Sequence, residues 1–121
     1  MIEDDLRGLL ADAMDVDVYA RLIPLGMPEC VMVQEIGGRT SSAGIRRNYH
    51  TVSVMAVSIS QASAIQRMKF ARNFLTENIP ADISGTHYYK ARPLADGSLR
   101  MKSASGPKYV EYCDIEVEAS L

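Results

Sequence analysis

The residues best equipped for chemistry are two histidines, two cysteines, a glycine pair and a run of alternating acids. His50 and His87 stand apart, and neither has a Cys, His, Asp or Glu at metal-ligand spacing. Nothing in the spacing joins them with Cys30 and Cys113 into a zinc site. Each reads as a strand histidine with one hydrogen-bonded nitrogen. Cys30 and Cys113 fall in strand-like segments and read as free, buried thiols of a reducing compartment. A disulfide between them would require neighbouring strands with suitable geometry. Gly37-Gly38-Arg39-Thr40-Ser41-Ser42 lacks the Gly-Lys-Ser/Thr ending of a phosphate loop and opens onto no helix. Asp114, Glu116 and Glu118 alternate along one strand face, the pattern of a wet face rather than of a catalytic carboxylate pair. Tyr88, Tyr89 and Tyr109 lie near basic residues, as in proteins that stack bases, but adjacent strand residues point opposite ways, so Tyr88 and Tyr89 cannot share one platform. No nucleophile, base and orienting group can be assembled, so the sequence predicts a protein that is not an enzyme, with no catalytic residue, metal or cofactor.

The scaffold that must position these residues is one domain of 121 residues, spanning 1–121. Apolar residues at 47% and charged residues at 23% exclude a disordered tail or a disulfide-rich miniature. Lys plus Arg is 13 and Asp plus Glu is 15, a net charge of -2, which excludes a strongly basic nucleic-acid coat. That near-balance hides segregation. Six acids against Arg7 make residues 1–17 acidic, and Arg39, Arg46 and Arg47 make residues 37–48 basic. Lys90, Arg92, Arg100, Lys102 and Lys108 outweigh Asp96 in residues 85–108, and the last thirteen residues hold Glu111, Asp114, Glu116 and Glu118. The acidic start is unlike a secretory leader, and no apolar run is long enough to cross a bilayer.

Periodicity gives the elements. Ile2, Leu6, Leu9, Leu10, Ala13 and Met14 form one helical stripe, with acids at 3–5 suited to the helix N-terminus. Val18 to Ile23 predicts a strand, and Pro24, Gly26 and Pro28 a turn. Cys30 to Ile36 predicts a strand ended by Gly37-Gly38, with a loop or flexible hairpin tip over 37–48. Tyr49 to Ile59 predicts a long strand whose alternation slips near Met55-Ala56, the mark of a bulge. A helix follows, capped by Ser63 or by Ser60 and stopped by Pro80, with Ala64, Met68, Ala71 and Leu75 as its core stripe. Phe70 and Phe74 form a pair rotated off that stripe and face either a flanking loop of the same subunit or another subunit. Thr86 to Arg92 predicts a strand, Pro93 to Pro107 a loop turning at Asp96-Gly97 with room for a short strand at 99–102, and Lys108 to Glu118 the last strand. The fold class is α+β: a mostly antiparallel, mixed β-sheet with two helices on one face, in the order α-β-β-β-α-β-β.

These features follow one another in a telling order. A leucine helix precedes Cys30-Val-Met-Val-Gln-Glu-Ile-Gly-Gly and a polar excursion. Then come Tyr49-His-Thr-Val-Ser-Val-Met-Ala-Val, a helix over 62–75 and Thr86-His-Tyr-Tyr. A Pro93-to-Gly97 turn and Tyr109-Val-Glu-Tyr-Cys-Asp-Ile-Glu-Val close the chain. From about residue 5 to 119 the chain resembles the tail-terminator, or tail-completion, family of long-tailed bacteriophages. The resemblance implies a virion protein at the tail–neck junction, assembled in the cytoplasm of the bacterial host. It implies a ring of copies of itself, six in number, that caps the tail tube protein, ends its polymerisation and meets the head–tail connector or stopper protein, with DNA only as passing cargo and no membrane. The residues expected at subunit or tube contacts are Arg39, Arg46 and Arg47 in the basic segment, Asp114, Glu116 and Glu118 on the acidic strand, and Phe70 with Phe74 on the helix. Two alternatives are another ring protein of the neck, an adaptor or stopper, and a small nucleic-acid- or ligand-binding module using its sheet face.

Overall fold

A computed structural model describes residues 2–21, 28–40, 47–103 and 106–120, with side chains for all of these except residue 40 and residues 101–103, 106 and 107. Two helices and six strands follow in the order α1 (Ile2–Ala11), β1 (Val18–Ala20), β2 (Cys30–Thr40), β3 (Arg47–Ser58), α2 (Gln61–Asn78), β4 (Ala81–Ile83), β5 (Thr86–Ser103) and β6 (Gly106–Ser120). The strands form one sheet, β1-β2-β3-β6-β5-β4, in which only the β1–β2 pair is parallel. This is the expected mixed α+β fold, with the short strand β4 added.

Both helices cover the same face of the sheet. Strand alternation sends Val31, Val33, Val52, Val54, Ala56, Cys113, Ile115 and Val117 inward, where they meet Leu6 and Leu10 of α1 and Met68, Ala71 and Leu75 of α2. α1 covers the β1–β2 side and α2 the β3–β6–β5 side. The predicted stripe of α2 is its buried set, Ala64, Met68, Ala71 and Leu75. Ser60 is its N-cap, accepting a hydrogen bond from the Ser63 N–H at 3.4 Å, and Ser63 lies inside the helix. α1 ends at Ala11, before the last two residues of its expected stripe, although Met14 still packs against the core.

Several expectations are corrected by long-range pairing. Gly37-Gly38 does not end β2, which runs on to Thr40, while β3 begins at Arg47. Of the expected 37–48 loop, residues 41–46 with Arg46 lie outside the described residues, as do residues 22–27 of the first expected strand and its turn. The bulge sits in β2, between Glu35 and Gly37, and not at Met55-Ala56. β3 keeps one phase through Ala56, while Val57 points outward into a second small cluster with Cys30 and Val110. Just after the bulge β2 approaches β3 so closely that a Cβ at Gly38 would stand 2.8 Å from the Tyr49 carbonyl oxygen. Only glycine fits there.

The largest correction concerns residues 93–107. They form no loop: β5 runs from Thr86 to Ser103 and pairs with β6, which begins at Gly106, not Lys108. Asp96-Gly97 resembles a turn signal, yet Gly97 lies opposite Tyr112, whose ring folds across the strand and occupies the space where a Cβ would go. The glycine is there to admit an aromatic ring.

Cys30 and Cys113 are free and fully buried, on opposite faces of the sheet and in strands separated by β3. Burial pushes the Cys113 thiol up to about 12, and burial raises Cys30 as well. Neither thiol will react appreciably with iodoacetamide at pH 8 in the folded chain, and both will react fully in denaturant, as intact-mass measurement will show. At Cys113 the shift from 9.0 to about 12 reduces the thiolate about 1000-fold. The folded chain holds this proton more tightly than the unfolded chain. The associated stability is therefore complete below pH 9 and is lost as pH rises from about 9 towards 12.

Candidate functional site

The uncovered face of the sheet carries most of the residues singled out by the sequence. Beyond the β2 bulge, Arg39 lies opposite Tyr49, Tyr49 opposite Glu118, and Glu118 opposite Lys90. The next row is Gly37, Thr51, Glu116 and Arg92. Sheet order thus sets the acidic strand β6 between the basic ends of β2 and β3 on one side and the basic strand β5 on the other. Arg92 bonds Glu116 at 3.0 Å, Arg39 lies 4.0 Å from the same carboxylate, and Arg47 bonds Glu118 at 3.2 Å. Two of the cations also lie on tyrosine faces, Arg39 over Tyr49 at 4.2 Å and Arg47 over Tyr89 at 4.0 Å. Arg47 is firmly seated, and its Nε is buried with no acceptor among the described residues.

The wet acidic strand of the sequence is therefore a half-buried strip clasped by arginines. The side chains of Glu116 and Glu118 are each 19% exposed. Asp114, opposite Ser53 and Ala95, makes no ion pair among the described residues. Arg46 lies outside the described residues. The structure brings Arg39, Arg47, Glu116 and Glu118 together within one chain and keeps Phe70 and Phe74 on the other face. Phe74 packs against the core, and Phe70, 45% exposed, stacks on it at 6.0 Å between ring centroids.

Both histidines hold one hydrogen-bonded nitrogen, as expected, and in each case the partner is a carboxylate. His87 Nδ1 meets Asp82 Oδ1 at 2.7 Å, and His50 Nδ1 meets Glu35. Sequence spacing hid these pairs because they span two strands. Tyr88 and Tyr89 point oppositely: Tyr88 is buried and donates to Asp5, while Tyr89 is half-exposed under Arg47. Tyr49 and Tyr89 are each covered by an arginine of the same chain. Among the described residues, no group of three His, Cys, Asp or Glu is placed to hold a metal, and no helix is long and apolar enough to cross a membrane.

The sequence signals missed a second charged region. Glu3 and Asp5 of α1 are buried, although acids at a helix start normally face water. Glu3 accepts from Arg21 at 3.2 Å and from the Glu35 backbone N–H at 3.1 Å. Arg21 reaches it because β1 ends there in a left-handed turn, φ 71°. Asp4, Asp12, Asp15 and Asp17 stay exposed, Asp4 pairing with Arg21 at 3.2 Å and Asp15 with Arg67 at 3.5 Å.

This fold has solved counterparts. Over 95% of this chain and 84% of the other, it superposes with a TM-score of 0.59 and 12% sequence identity on a chain from the virion of a native gene transfer agent particle. No protein-family model and no curated protein matches the sequence. At that identity the likeness establishes a shared fold.

Proposed function

We propose that the chain is a structural virion protein of a phage-like particle that forms a ring at the end of the tail tube. The observation that carries this reading is the likeness, across nearly the whole chain, to a chain of a gene transfer agent virion. The sequence resemblance to tail terminators points the same way. In this role the ring holds six copies, caps the last ring of tube protein, halts its growth and offers its other side to the head–tail connector, while DNA passes through the centre. The role is architectural and has no catalytic step. It is exercised in the virion, after assembly in the bacterial cytoplasm.

Arg39, Arg47, Glu116 and Glu118 border the surface offered to tube or neighbour. Their internal ion pairs leave that corner nearly neutral and preformed. Native mass spectrometry and electron microscopy of the purified chain, alone and mixed with tubes of its cognate tail tube protein, test the role. Hexameric rings seated at one tube end, with tubes that stop lengthening, are the expected result. A chain that remains monomeric and leaves tube length unchanged overturns it, and rings that bind the connector but ignore tubes identify an adaptor or stopper instead.

A further inference from the structure

We infer that copies of this chain join head to tail through opposite edges of the sheet, with Leu99 and Arg100 of one copy seated on the acidic α1–β1 edge of the next. The inference rests on the ring reading above and specifies its contact.

The charges that cancel on the uncovered face leave two regions unbalanced, and these lie at opposite ends of the sheet order. The α1–β1 edge carries exposed Asp12 and Asp17, which make no ion pair among the described residues, beside Asp15 paired with Arg67 at 3.5 Å. At the other end, β4 covers only Thr86 to Tyr88 of β5, so the segment from Lys90 onward has no second strand beside it among the described residues. That segment exposes Lys90 and Arg100, with Leu94 at 46% and Leu99 at 56% exposure. A long edge strand with exposed leucines requires cover. A surface on one end of a molecule that complements the other end yields a heterologous contact, the kind that builds rings.

The acidic edge has a receptacle of matching chemistry. An open, mostly polar cavity of about 390 Å³ is lined by Ala11, Met14, Asp15, Val16, Asp17 and Glu29, with Arg67 paired to Asp15 at 3.5 Å and to Glu29 at 3.1 Å. Three carboxylates against Arg67 leave that lining with a net negative charge, which suits a cation such as Arg100 beside Leu99.

Register supplies an independent observation. Leu99 lies opposite Val110, Val110 opposite Val57, and Val57 opposite Cys30. Asp17 stands at that same level, since Val18 pairs with Val31 and the Asp17 carbonyl accepts from the Val31 N–H at 3.0 Å. The two halves of the contact therefore occupy one row across the sheet. A heterologous contact of this kind builds a ring when its rotation closes.

Cysteine trapping tests the contact directly. The native thiols are buried, and residues 17 and 99 stand about 19 Å apart across four strand spacings. No disulfide can join them within one copy. Under mild oxidation the double variant Asp17→Cys, Leu99→Cys should give a ladder of covalent oligomers ending in a closed ring, whereas each single variant should stop at traces of dimer. Adding Arg100→Glu should cut the ladder at least tenfold, and 0.5 M salt should weaken it. Circular dichroism of every variant, matched to the parent, confirms folding. No ladder, or a ladder indifferent to Arg100→Glu and to salt, overturns the contact. Rings of the parent chain without the ladder overturn this contact and leave the ring reading standing. A ladder that grows into open filaments upholds the contact and removes the ring reading.

Discussion

Replacing Ile115 with alanine will lower the unfolding free energy by about 2–5 kcal/mol. Ile115 is fully buried at the centre of β6, between Val52 of β3 and Pro93 of β5, and its side chain lies on the helix-covered face. Truncation removes three carbons from a close-packed layer between two neighbouring strands, where the backbone ladders on both sides prevent collapse into the void. For a domain of ordinary stability this is a large fraction of the whole. Urea denaturation followed by far-ultraviolet circular dichroism reads it as a midpoint lowered by about 1–3 M, with the slope unchanged. Ile59→Ala is the matched control. That side chain is 62% exposed just beyond β3, and its loss should change stability by less than about 0.5 kcal/mol.

Tyr88→Phe should cost about 1–3 kcal/mol, although it removes a single oxygen. The Tyr88 hydroxyl donates to the Asp5 carboxylate, and both residues are buried beneath the start of α1. Burial, and then the Asp5 hydrogen bond, raises the Tyr88 phenol above its ordinary value, so it remains a donor at any pH the fold survives. Without it, a buried carboxylate oxygen faces a C–H group and loses its partner. A double-mutant cycle with Asp5→Ala isolates the pair. The two changes should be strongly non-additive, because once Asp5 is gone the hydroxyl has little left to bond. Tyr89→Phe, one residue along but on the outer face under Arg47, should be nearly neutral. If Tyr88→Phe and Tyr89→Phe prove equally mild, the buried pair is not what anchors α1.

The helix α2 was legible because its evidence is local. A 3.6-residue period placed Ala64, Met68, Ala71 and Leu75 on one face, and Pro80 marked its end. Alternation also read the inward set of β6, Cys113, Ile115 and Val117. What failed was what depends on a distant strand. Asp96-Gly97 reads as a turn unless Tyr112 is known to lie across from it, and Gly37-Gly38 reads as a stop unless Tyr49 is known to press against it. His50 and His87 look isolated because their carboxylates stand on partner strands.

The charge pattern shows the same division. The sequence by itself determined that acid gathers at the two ends and base in two internal segments, since that is a matter of order along the chain. Only the tertiary structure decided which charges meet. By placing β6 between β3 and β5 it satisfies the C-terminal acids Glu116 and Glu118 inside one copy. By placing α1 with β1 and β5 towards opposite edges it leaves Asp12 and Asp17 facing outward at one edge and Lys90 and Arg100 at the other, on sides of the molecule that cannot reach each other. The physical reason is that Coulomb attraction acts through space, and spatial order in a sheet with crossovers is not the order of the chain.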